Sequence, residues 1–266
     1  MAIKLTGFDI VQVPNKIDRG VSMIVYANPG VGKTTLASTL PPEETLILNS
    51  EAGLGPLLGK GHSILDLRSA VGPKTSIADV LDRLLLTLRS TGHGIKYLVI
   101  DNMSEIVEQF LIEVTRKRGK DSPERGEYGD SGFKIREWMH QFRDLTYDPG
   151  INVIFNAWEQ VLDIQRTDGA VTTMIMPMLG KSTAKQSCGI VDIVGHLEAN
   201  EKTGVRRIRL GSNDQYLTKC QFKGADSVEP ADLKMLIDKI RGFDYGEIAQ
   251  RDAVNGDAQG QASVLK

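Results

Sequence analysis

The chain of 266 residues has only two cysteines, Cys188 and Cys220, and they lie far apart. That number excludes a disulfide framework and leaves no metal-ligand spacing, which points to a reducing compartment. Four histidines (His62, His93, His140, His196) are scattered, which argues against a zinc site. No apolar run approaches the roughly 20 residues that span a bilayer. The opening Met-Ala-Ile-Lys-Leu-Thr-Gly-Phe lacks a signal-peptide core. The expectation is a cytoplasmic protein with no membrane partner. Neither sign of charge dominates. A net charge of −2 excludes a basic body that coats nucleic acid, although a local basic patch remains compatible with it. The remaining balance, 41% hydrophobic and 25% charged, is that of one large α/β domain or two small ones.

Against these absences one stretch stands out. Residues 27–35 read Ala-Asn-Pro-Gly-Val-Gly-Lys-Thr-Thr. An apolar run, Met23 to Tyr26, leads in as a buried strand, and a helix over Thr34 to Leu40 leads out. Gly30 and Gly32 let the backbone curl so that several N–H groups face one phosphate, at the positive end of the helix. The spacing predicts a phosphate-binding loop made by Asn28, Pro29, Gly30, Val31, Gly32, Lys33, Thr34 and Thr35. Lys33 is expected to reach the β- and γ-phosphates, and the Thr34 hydroxyl to ligate Mg²⁺. Ala27 stands where glycine is usual, a small-for-small exchange.

Apolar runs alternate with amphipathic stretches, the pattern of a mostly parallel sheet flanked by helices. Strands are expected at Thr45–Asn49, Lys96–Asp101, Asn152–Trp158, Ile190–Glu198 and Val205–Leu210. A hairpin over Val161–Met176 turns at Asp168-Gly169. Helices are expected at Ile77–Leu88, from a Ser104 cap to about Arg116, from about Ile135 to Leu145, and over Ala231–Arg241 behind Pro230. Residues 116–130 are polar, charged and glycine-rich and read as a loop. Met178 to Ser187 reads as a loop or short helix. A single domain over 1–248, with a short N-terminal segment (1–20) and a disordered tail (249–266), is the simplest organisation.

Hydrolysis of a triphosphate needs an acid near the metal and a base for water. Asp101 ends an apolar strand at the edge where the phosphates sit, which suits a partner of Mg²⁺; the other reading is an aspartate that starts a turn. Glu51 follows the strand Thr45–Asn49 and is assigned as general base, against a solvated loop acid. Asn156, near the end of a later strand, is a candidate to sense the γ-phosphate, with Glu159 and Gln160 as competitors.

These elements, in this order, resemble the RecA-type recombinase core over about Val21 to Leu210. The carriers are the phosphate loop, the strand into Ser50-Glu51, the Asp101 strand, the segment 124–131 (Glu-Arg-Gly-Glu-Tyr-Gly-Asp-Ser) before a helix, and the strand Asn152–Trp158. The chain looks most like phage-encoded RecA-like ATPases of the single-strand annealing type. The resemblance implies a RecA-like P-loop α/β core with a C-terminal β-hairpin or antiparallel extension, ATP and Mg²⁺, and single-stranded DNA. It further implies a homo-oligomer (ring or filament), a single-strand-binding protein as partner, and the host cytoplasm.

The residues themselves offer two basic surfaces for DNA. One is Arg118 and Arg125 with Tyr128 among them, diluted by Asp121, Glu124, Glu127 and Asp130; a mixed-charge solvated loop is the other reading. The second surface is Arg166, Lys181 and Lys185. In ring or filament ATPases a cation from the next subunit completes the site. Beside the basic set Arg206, Arg207, Arg209 and Lys219, the candidates are Lys181, Arg207 and Lys219, against an exposed positively charged strand face. Phe8 is a candidate contact to a neighbouring subunit. A nucleotide-dependent assembly or loader ATPase with a protein partner is the alternative function, and a small-molecule kinase a third.

Overall fold

The computed structural model describes residues 13–165, 169, 171–180 and 183–246. Phe8, Arg166, Asp168, Lys181 and the segment 249–266 therefore lie outside the described residues. Among those described, ten strands make one sheet. They are β1 (Ser22–Ala27), β2 (Thr45–Asn49), β3 (Ser63–Asp66), β4 (Tyr97–Asp101), β5 (Asn152–Gln165), β6 (Val171–Pro177), β7 (Ile193–Ala199), β8 (Arg206–Arg209), β9 (Lys219–Cys220) and β10 (Val228–Pro230). The order is β10-β8-β7-β1-β5-β4-β2-β3, with β6 on β5 and β9 on β7. From β7 to β3 every pairing is parallel, while β8, β9, β10 and β6 add antiparallel strands. The mostly parallel α/β sheet with an antiparallel extension is thus the architecture that forms.

Both faces of the central strands are covered, so β1 (Ser-Met-Ile-Val-Tyr-Ala) is a continuous buried run. The helices are α1 (Lys33–Ala37), α2 (Leu67–Ala70), α3 (Ile77–Leu88), α4 (Met103–Lys117), α5 (Arg125–Asp144), α6 (Ala184–Ile190) and α7 (Leu233–Gly242). On one face Ile24, Tyr26, Leu98 and Phe155 pack with Leu84 of α3, Phe110 of α4 and Trp138 and Phe142 of α5. On the other, Met23, Val25, Val99 and Ile154 pack with Leu36 of α1 and Leu236, Ile237 and Ile240 of α7. Trp138 is fully buried, set edge-on to Phe110, and its indole N–H donates to Asp82 at 2.7 Å. No described helix is long and apolar enough to cross a membrane.

Several boundaries differ from the sequence reading. Helix α4 is capped by Asn102, whose side chain accepts from Ser104 N–H at 2.7 Å; Ser104 instead accepts the Trp158 N–H. Helix α7 is capped by Asp232, and Pro230 ends strand β10 instead. The largest difference is at 125–134. Glycines at 126 and 129 lie in the stretch 116–130 that reads as loop, yet α5 begins at Arg125. A reciprocal capping box joins Glu124 and Glu127. Arg118 and Lys120 donate to the Glu127 carboxylate, holding it down at about 2. These contacts across the α4–α5 turn outweigh the helix cost of glycine, about 1 kcal/mol each.

The start of β1 is fixed by a buried ion pair. Asp192 accepts from Arg19 at 2.7 and 3.0 Å, from Ser22 N–H at 2.9 Å and from the Ser22 hydroxyl at 2.8 Å. Burial pushes this carboxyl up, but the bonds from Arg19 and Ser22 outweigh it and leave it below its ordinary 3.8. Asp192→Ala strands the half-buried Arg19, and the expected loss is about 3–5 kcal/mol, read as a lower urea midpoint at unchanged slope. The parent holds this contribution above its ordinary value and loses it as pH falls through the depressed one. The difference between parent and variant therefore shrinks in acid.

Candidate functional site

The carboxyl ends of β1, β2 and β4 converge on one edge of the sheet with the end of the parallel-paired part of β5, which reaches Trp158. After β1 the chain turns through Asn28-Pro29-Gly30-Val31 into α1. Gly30 and Gly32 take φ of +82° and +115°, values that side chains rarely adopt. The helix is shorter than expected, with single turns carrying on through Leu40. Lys33 is 7% exposed, and its ammonium donates to the carbonyls of Ala27 at 3.0 Å and Asn28 at 3.2 Å. Burial lowers its pKa, opposed by the negative charges of Asp101, Glu51 and Glu159.

Asp101 joins three elements. Its Oδ2 accepts from the Thr34 hydroxyl at 2.7 Å, and its Oδ1 accepts from the Asn156 amide at 3.1 Å. The β1–β5 and β5–β4 pairings set this up, because they bring Asn156 of the intervening strand between the loop and the acid. Strand β2 is pinned beside it. Ser50 N–H donates to the Asp101 carbonyl, and the Ser50 hydroxyl pairs with both Asn102 N–H and C=O at 2.9 Å. That clasp places Glu51 next to Asp101 and Lys33. Burial raises the Glu51 carboxyl, Asp101 raises it further, and Asn102 and Lys33 pull it down. Glu51 Oε1 and Asn156 Oδ1 are buried without a hydrogen-bond partner.

The four residues named from the sequence as the chemical set, Lys33, Glu51, Asp101 and Asn156, are therefore brought together. Of the competitors for the Asn156 role, Glu159 lies at the same site, tied to the loop and acting on Lys33, and Gln160 is turned to the Pro177 carbonyl. Glu159 accepts from Asn28 at 2.5 Å and pairs with His196 at 3.0 Å. The sequence reading missed Ser50 and Asn102 as alignment residues and the tie from Asn28 to Glu159. Only the polar strand ends signalled them.

The donor set also fits a small divalent ion. Thr34 Oγ1 and Asp101 offer hard oxygens, and the unpartnered Glu51 Oε1 lies in the same cluster. Among the described residues no group of three or more His, Cys, Asp or Glu forms a protein cage. Magnesium needs none, because it keeps waters and takes substrate phosphates as ligands.

The basic candidates separate. Arg118 is compensated by Glu127 at 2.8 Å and by Asp130. Arg125 and Lys185 are exposed, and Tyr128 is 59% exposed on α5. Tyr128 borders a cavity of about 580 Å³ lined also by Leu111, Ile135, Leu179 and Thr183. Arg207 is exposed on β8. The Lys219 ammonium is taken up by its own chain, donating to the carbonyls of Val191, Gly189 and Cys188 at 2.6–3.4 Å.

No curated protein matches this chain. Among solved structures, the RadB recombinase is similar at 16% identity over 72% of this chain and 80% of that chain, with a TM-score of 0.39. A family profile described as an AAA domain matches residues 19–222 and contains the loop, Glu51, Asp101 and Asn156. The chain belongs to this AAA domain family of P-loop proteins.

Proposed function

We infer that the protein binds and hydrolyses ATP with Mg²⁺ and acts on single-stranded DNA in annealing or recombination, as a RecA-like ATPase of phage type. One observation carries the ATPase part: Thr34, Asp101, Asn156, Lys33 and Glu51 form a single cluster at the end of the parallel strands. Main-chain amides of residues 30–35 hold the phosphates, and Lys33 neutralises the charge that develops on them. Thr34 and Asp101 hold the metal, which supplies further neutralisation of the phosphate oxygens when bound. Glu51 accepts a proton from the attacking water as the bond to the γ-phosphorus forms and the β–γ bridge breaks. Asn156 fixes Asp101 through its amide. One α/β domain over the described core, with a homo-oligomer as the working form, fits this reading.

The DNA part rests on exposed Arg125 and Lys185 with Tyr128 as a stacking ring. Its test is ATP turnover with and without single-stranded DNA, alongside retention of DNA at low salt. Stimulation and salt-sensitive retention are expected. The double variant Arg125→Gln, Lys185→Gln should lower the slope of log affinity against log salt by about one to two. An unchanged slope moves the surface elsewhere, and absence of both stimulation and retention removes DNA as the partner.

A second reading, a loader or assembly ATPase with a protein partner, is favoured by the ion pairs that compensate Arg118 and Lys120 and by exposed Tyr128 and Phe133 on α5. A stable protein partner captured in the presence of ATP, without DNA affinity, would select it.

A further inference from the structure

Arg206 lies against the phosphate loop of its own chain. It stands at the start of β8, an antiparallel strand two places from β1, and its Nε–H donates to the Val31 carbonyl at 2.6 Å. The fit depends on Gly32. A Cβ there would fall 2.6 Å from Arg206 Nε and 3.2 Å from its Cδ, so the side chain rests on the bare Cα. Arg206 forms no salt bridge among the described residues, although Arg209 three positions on is paired with Glu198 at 3.0 Å. A guanidinium with no carboxylate partner is thus fastened beside a cradle for phosphates. Its terminal N–H groups are the donors suited to oxyanions.

We propose that Arg206 is a cis-acting positioning residue of the nucleotide site. It holds the Val31 carbonyl so that the loop keeps the shape needed for phosphate, and it adds an uncompensated positive charge to that cradle. This rests on the nucleotide-binding reading above. It assigns the neighbouring basic residue a role within its own subunit, separate from any cation supplied by another copy.

Two measurements test it on the full-length chain. In the first, ATP affinity is titrated over a range of salt for the parent, Arg206→Gln and Arg206→Lys. The glutamine variant should bind about tenfold more weakly, with a flatter salt dependence. Lysine should restore the salt dependence but only part of the affinity, because it keeps the charge and loses the fixed fork. Equal affinity for parent and Arg206→Gln overturns the proposal. A parent that binds no ATP at all overturns the nucleotide reading with it. In the second, Arg206→Gln is mixed with Lys33→Ala and turnover is measured. Action in cis predicts no more than the sum of the two alone. Recovery above that sum means that an intact Arg206 serves another subunit's loop, and the cis assignment fails.

Discussion

Lys33→Ala is expected to bind ATP about 10²–10³-fold more weakly and to show no measurable turnover. A unit charge about 4 Å from a phosphate oxygen is worth about 4 kcal/mol at the effective dielectric of a protein surface, and each 1.4 kcal/mol is a factor of ten. The structure explains why the lysine is ready for that contact. Its ammonium is buried and held by two carbonyls of its own loop, without a direct carboxylate partner among the described residues. Burial lowers its pKa, and the nearby carboxylates of Asp101, Glu51 and Glu159 only oppose that shift. Phosphate binding should therefore raise that pKa, and ATP binding at alkaline pH should take up protons, measurable by calorimetry in buffers of different ionisation enthalpy. The variant should show neither the binding nor the proton uptake. Parent-like affinity in Lys33→Ala would mean that the triphosphate sits elsewhere.

Glu51→Gln should retain ATP while hydrolysis slows by about 10²–10⁴-fold, the range for removal of a general base. A second readout needs no ligand. The folded-state pKa of Glu51 is raised above 4.5 by burial and by Asp101. The folded protein therefore holds this proton more tightly than the unfolded chain. Stability is full below 4.5 and falls as pH rises through the raised value. Glutamine removes that loss, so the variant should melt above the parent at neutral pH, with the gap closing towards pH 4. Normal turnover would show that another group is the base. A lower melting temperature at neutral pH would show that the carboxylate is stabilised where it sits.

The parts of this site set by local chemistry were legible in the sequence. Strand β2 and helix α3 have the expected boundaries, since an apolar run and a 3.6-residue periodicity need no distant partner. The loop glycines and the acid ending β4 followed from the same patterns. The start of α5 was hidden because its glycines suggest a loop, and what fixes it is the pairing of Arg118 and Lys120 with Glu127 across the turn. The length of β5 was hidden too. It runs parallel to β1 as far as Trp158 and antiparallel to β6 from Glu159, so one strand serves two pairings that read as separate elements. The Ser50–Asn102 clasp and the seat of Arg206 on Gly32 join residues 52 and 174 positions apart. No local pattern announces contacts of that span.

The most direct test is a crystal structure with a non-hydrolysable ATP analogue and Mg²⁺. The expected result is a γ-phosphate against the Lys33 ammonium, the metal on the Thr34 hydroxyl, and Asp101 and Glu51 on the same side of the phosphates. An analogue bound away from residues 28–35, or a Glu51 turned away from the γ-phosphate, would contradict the account.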